Sequence, residues 1–134
     1  MSSTEVALRG SFVHMAASAE YTEYVLELLS PVGPVTVGRF FGGVGLSRAS
    51  VQFAMIMDNS LYFVVDDMTR ARYEAAGMQA FSYATKKGRV QVRRYFELPE
   101  DVLSDPDELR VWAQESLRVA SKKKTKRPLR RTAG

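Results

Sequence analysis

The residues best suited to chemistry in this 134-residue chain fall into three short clusters. Gly38, Gly42, Gly43 and Gly45 could let backbone N–H groups converge on an anion, as phosphate cradles do. No loop ending in Gly-Lys-Ser/Thr and no G-x-G-x-x-G opening a helix is present, so the plainer expectation is a tight turn or bulge between strands. Arg39 beside Phe40 and Phe41 forms a candidate recognition edge, a guanidinium for a carboxylate or phosphate with a ring to stack. The plainer alternative buries one Phe and pairs Arg39 with Asp66 or Asp67. Those two acids are a carboxylate pair of the kind that binds a metal or splits pKa values for acid–base work. Followed by Met68, Thr69 and Arg70, they read more simply as a helix N-terminus.

Other reactive chemistry is scarce. With no cysteine, the chain has no disulfide, thiol nucleophile, thiolate-bound zinc or iron–sulfur cluster. Its one histidine, His14, stands in an N-terminal stretch without periodicity. The acids at 100, 101, 105, 107 and 108 do not have the alternating spacing of a calcium loop. A catalyst at neutral pH generally needs a nucleophile–base pair or a metal cluster, so the expectation is a protein that binds and does not catalyse, without cofactor or metal.

Charge is distributed unevenly. Residues 1–117 carry 11 Lys and Arg against all 15 Asp and Glu, a net −4, whereas residues 118–134 carry 8 Lys and Arg and no acid, a net +8. Lys122, Lys123, Lys124, Lys126, Arg127, Arg130 and Arg131 lie within ten residues, enough to meet several phosphates and release counterions. No aromatic side chain interleaves them, so stacking on single strands is not expected, and phosphate contacts alone do not read sequence. The alternative is a solubilising tail. No apolar run is long enough to span a membrane and the chain start lacks a secretory pattern, which points to a cytoplasmic protein without a membrane partner.

The elements that must position these clusters follow from periodicity. Apolar residues at Tyr21, Tyr24, Val25, Leu28 and Leu29 predict an amphipathic helix capped by Ser18 and ended by Pro31, Gly33 and Pro34. Runs rich in β-branched and aromatic residues predict strands near 35–40, 44–48, 51–57 and 61–65, the last two joined by a three-residue loop at Asp58-Asn59-Ser60. Asp66 or Asp67 caps a short helix that Gly77 closes. A second hairpin follows with Lys86-Lys87-Gly88 at its tip and one wet, basic face. Asp105-Pro106-Asp107-Glu108 opens a helix with an apolar stripe at Leu109, Trp112, Ala113, Leu117 and Ala120. The order predicts an α+β fold with a mostly antiparallel sheet of about five or six strands and helices on one face or at its ends. Residues 1–17 are expected to be a flexible extension, 18–120 the domain, and 121–134 a basic disordered tail.

Taken in order, the segments LLSPVGPVTVGRFFGGVGL, FAMIMDNSLYFVVDDMTRARYEAAGMQAFSY and YFELPEDVLSDPDELRVWAQESL resemble the N-terminal domain of the TfoX/Sxy family over about residues 20–120. The family's usual Arg-Met-Phe-Gly-Gly is Arg39-Phe40-Phe41-Gly42-Gly43 here, and Val64 stands where a lysine is common. The resemblance implies a small α+β domain of bacterial regulators of competence and transcription. It also implies a protein partner in the transcription machinery, of the cyclic-AMP receptor protein type. The function expected is therefore a non-enzymatic regulatory domain with non-specific DNA contact through the tail. The alternative is a small-anion-binding or enzymatic module built on Arg39 and Gly42-Gly43.

Overall fold

The computed structural model describes the main chain of residues 18–133 and side chains as far as Lys122. Expectations for 1–17, His14 included, lie outside the described residues. In chain order the elements are α1 (Ala19–Leu29), a 3-10 turn (Ser30–Val32), β1 (Thr36–Phe40), β2 (Gly43–Arg48), β3 (Val51–Met57), β4 (Ser60–Val64), α2 (Asp67–Ala75), β5 (Ala80–Thr85), β6 (Gly88–Glu97), α3 (Glu100–Leu103) and α4 (Pro106–Ala133). The six strands form one antiparallel sheet in the order β1-β2-β3-β4-β6-β5.

Local chemistry explains most boundaries. Ser18 Oγ accepts from Tyr21 N–H at 3.0 Å and opens α1, while Ser18 N–H itself donates to Asn59 Oδ1 at 3.1 Å, tying the helix start to the β3–β4 turn. Val25 and Leu29 of α1 are fully buried, but Tyr24, placed on the same stripe by periodicity, is 46% exposed. The β3–β4 connection is shorter than expected. Its two residues, Asp58 and Asn59, both have positive φ, which matches the right-handed strand twist, and Ser60 already belongs to β4. Asp105 Oδ1 accepts from Asp107 and Glu108 N–H and opens α4.

The core lies between the sheet and its helices. Leu46, Ala54, Phe63 and Phe96 oppose one another across β2, β3, β4 and β6 and therefore share a face. Tyr73 of α2 packs its ring 6.1 Å from Phe96 and 4.8 Å from Trp112 of α4, so both helices cover that face. A bulge refines the pattern. Leu46 opposes Ala54 but Ser47 opposes Gln52, leaving Phe53 as the extra residue. Phe53 packs on Phe63, and Gln52 reaches over Gly45, where a Cβ would lie 2.6 Å from its Oε1. A side chain at position 45 would have to displace that amide, and with it its bond to Tyr95, which accounts for Gly45 without a ligand. Ser116 of α4 is buried with Oγ 2.7 Å from Phe53 O and 3.0 Å from Val64 O, its proton serving carbonyls of two neighbouring strands.

The last described buried residues of α4 are Val119 and Ala120. Its main chain continues to Ala133 through the segment expected from the sequence to be disordered.

Candidate functional site

The topology sorts the charged residues between the two ends of the sheet. One end collects the β1–β2 turn (Phe41-Gly42), the β3–β4 turn (Asp58-Asn59) and the end of β6 at Glu97, with α3 and the start of α4 following directly. Glu97, Glu100, Asp101, Asp105, Asp107 and Glu108 belong to this end, as does Asp58. Their proximity is felt by two phenols. Burial raises the Tyr62 pKa to about 12, with Glu97 and Asp58 adding to the shift. Burial likewise raises that of Tyr21, helped by Glu100.

The opposite end is rich in basic residues and also holds Asp66 and Asp67 at the start of α2. There β4 finishes, α2 begins, and the β5–β6 hairpin carries Lys86 and Lys87 at its turn, followed by Arg89, Arg93 and Arg94. Helix α4 reaches the same end. It contacts Val64 O through Ser116, and six residues later Lys122 lies close enough to Asp66 to help lower its carboxyl pKa. The basic segment that begins at Lys122 therefore starts at the end from which the basic hairpin rises.

The first cluster singled out by sequence becomes the β1–β2 hairpin. Phe41 (φ +52) and Gly42 (φ +84) are its two loop residues, and Gly43 opposes Phe40 in the ladder. A turn that needs positive φ at both central residues accounts for Gly42 without a phosphate. Phe41 is less expected there, since a bulky side chain rarely adopts positive φ, and it is 70% exposed. Its ring lies 4.7 Å from that of half-buried Phe40, which is 6.0 Å from Tyr95, whose hydroxyl accepts from Gln52 Nε2 at 3.0 Å. An exposed aromatic corner is thus anchored to the sheet.

The expected pairing of Arg39 with Asp66 or Asp67 is corrected by the register. Arg39 opposes Val44 near the β1–β2 turn, three strands from β4 and at the other end from Asp66. Arg39 is exposed and forms no ion pair among the described residues.

Asp66 and Asp67 act locally. Asp66 Oδ1 accepts from Thr69 N–H at 2.8 Å while Thr69 Oγ1 accepts from Asp66 N–H at 3.0 Å, a reciprocal capping box at the start of α2. The bond from Thr69 N–H is the chief reason the Asp66 carboxyl lies below its ordinary pKa. Asp67 is exposed and receives Arg70 Nη2 at 2.8 Å. Among the tail candidates Lys122 is exposed; the side chains of Lys123, Lys124, Lys126, Arg127, Arg130 and Arg131 lie outside the described residues.

Sequence reasoning missed three arrangements. Arg72 of α2 stacks over Trp112 at 4.3 Å and pairs with Glu115, while Trp112 Nε1 donates to Glu108 Oε1 at 3.1 Å, locking α2 to α4. Ser116, which the predicted stripe leaves out, is buried and bonds to carbonyls of β3 and β4. The hairpin cations were seen as a wet face but not as a candidate site, although residues 75–96 hold Lys86, Lys87, Arg89, Arg93 and Arg94 without a single acid. That acid-free run was the available signal.

Among the described residues, no helix is long and apolar enough to cross a membrane. No curated protein matches the chain. The profile of the TfoX N-terminal domain matches residues 27–120, from within α1 to the last described buried turn of α4. By that match over most of its length, carried on a six-stranded antiparallel α+β fold, the chain belongs to the TfoX N-terminal domain family.

Proposed function

We propose that this chain is a non-enzymatic regulatory domain of the cytoplasm that acts by binding, its basic C-terminal segment holding nucleic acid without reading sequence. The observation that carries the reading is the sorting of charge along the sheet. Seven acids gather at one end, while the acid-free hairpin and the start of the basic segment share the other with Asp66 and Asp67. Such a dipolar surface orients a polyanion toward the basic end and repels it from the acidic one. Regulation of transcription fits this reading, as the family would have it.

A second contact, with a protein partner, is favoured by Phe41. Backbone strain held at an exposed aromatic is a reason to look for a surface used in recognition. Phe41→Asn suits the turn better and should leave stability unchanged or improved while weakening partner capture. Unchanged capture by the variant would exclude that corner.

The reading is tested by fluorescence anisotropy of labelled duplex DNA over a range of salt. The full chain is compared with a variant in which Lys122, Lys123, Lys124, Lys126, Arg127, Arg130 and Arg131 are all Gln. The expected result is a log–log salt slope less steep by several units in the variant, since each phosphate contact contributes about −0.9. Equal slopes would remove the C-terminal segment from the interface.

A further inference from the structure

The distal part of the β5–β6 hairpin is a strand pair without a third strand. The register between β4 and β6 covers only Tyr95, Phe96 and Glu97, whereas Phe81 to Thr85 pair with Gly88 to Val92. Between these two stretches the β5–β6 register shifts at Ala80/Phe81, which twists the ribbon away from the sheet. Five opposed residue pairs give a ribbon about 17 Å long. From Tyr83 to Gln91 every residue is exposed.

The two faces of this ribbon differ. Phe81, Tyr83, Val90 and Val92 share one face by register, and aromatic contacts run along it: Tyr83 on Phe81 at 6.1 Å, and Phe81 edge-on to Tyr62 of β4 at 5.3 Å. That ladder stiffens the ribbon and attaches it to the sheet. The other face carries Ser82, Ala84, Arg89 and Gln91. Arg89 is held there, donating from Nη2 and Nε to Ser82 Oγ at 3.0 and 3.2 Å. At the tip, Thr85 Oγ1 accepts from Lys87 N–H and donates to Gly88 O, fixing the turn that presents Lys86 and Lys87.

None of Lys86, Lys87, Arg89 or Arg93 forms an ion pair among the described residues, where the three pairs present all involve helical arginines. Beyond Phe81, which is buried, and Val92, which packs against the core, the ribbon adds nothing evident to the core, yet it carries three unpaired cations, with Arg93 just after it, and no acid. Its shape and charge match one ligand: a B-form major groove, about 12 Å wide and lined by phosphates, admits a two-stranded ribbon.

We propose that the β5–β6 ribbon is a second duplex-DNA contact, entering the groove with Lys86, Lys87 and Arg89 on phosphates beside the segment that continues from Lys122. This rests on the nucleic-acid reading above and adds a folded prong to it. The test places four full-length proteins on the same labelled duplex over a range of salt: the parent, Lys86→Gln/Lys87→Gln/Arg89→Gln, the tail-neutral variant, and both combined. Lys86→Gln/Lys87→Gln alone, which keeps the Arg89–Ser82 bonds, guards against misfolding. The ribbon triple should lose about 2–3 units of salt slope and the turn double about 2, at about 0.9 per phosphate. The combined variant should show no measurable binding. If the ribbon variants match the parent while the tail-neutral variant is weakened, the ribbon inference is overturned and the tail reading stands. Loss confined to the ribbon variants supports the ribbon and overturns the tail reading. An equal loss of affinity for poly-glutamate would overturn duplex DNA as the ligand.

Discussion

The two halves of β6 are made of similar residues and serve different purposes. Tyr95 and Phe96 are buried between β4 and the β5 start, with Tyr73 of α2 on the Phe96 ring. Gly88 to Gln91, in the same strand, face water beside a single neighbour. Both place apolar residues next to arginines: Val90 and Val92 alternate with Arg89 and Gln91, and Tyr95 and Phe96 follow Arg93 and Arg94. What separates them is the number of strands and helices within reach, which only topology decides. The distal half, ordered, charged and unburied, is what the proposed DNA contact would account for.

The comparison can be broken most forcefully at its buried half. Phe96→Ala should cost about 3–5 kcal/mol, because it opens a cavity beneath Tyr73 in a close-packed core. Urea unfolding measures it, and a loss below about 1 kcal/mol would mean that the proximal half is not the anchor described. A smaller effect is expected where α2 is held over that half. Asp66→Ala removes the cap and should cost about 1 kcal/mol near neutral pH.

The pH dependence has a defined sign. Hydrogen bonding in the folded state lowers the Asp66 pKa, so the folded state binds its proton less readily than the unfolded chain. Its stabilisation is present above the ordinary carboxylate range and is lost as pH falls through the lowered value. The parent and Asp66→Ala should therefore converge in stability in strong acid. A difference that persists unchanged at low pH would contradict the cap. The smallest effect belongs to the distal half, where Val90→Thr should shift stability by no more than about 0.5 kcal/mol.

Much of this fold was legible because local signals agree with tertiary placement. Ser18, Asp66 and Asp105 are caps in sequence and in structure, and Gly77 follows α2 with φ +83. The first four strands begin and end within about a residue of the places their β-branched runs predict. The missing parts are non-local. Arg39 could be paired with Asp66 only while the strand order was unknown. Ser116 contacts carbonyls of Phe53 and Val64, 63 and 52 residues away, and no periodicity carries that relation. The bulge that sends Gln52 to Tyr95 and Phe53 to Phe63 likewise depends on β2 and β3 meeting out of step. For the candidate site, the tail was visible as a charge run because its residues are contiguous. The basic end as a whole was not, since the topology brings residues 86–94 to the same end of the sheet as Lys122, which lies late in α4.

The central claim, that the distal half of β6 is a ligand-binding ribbon and the proximal half its anchor, is most directly tested by hydrogen–deuterium exchange of the full chain with and without duplex DNA. The account predicts that the amides of 82–91, paired but exposed, exchange faster than those of Tyr95 to Glu97 in the free protein and slow when DNA is added, while Tyr95 to Glu97 are slow in both states. Unchanged exchange across 82–91 on saturation with DNA, or slowing confined to the acidic end around Asp58 and Glu100, would contradict it.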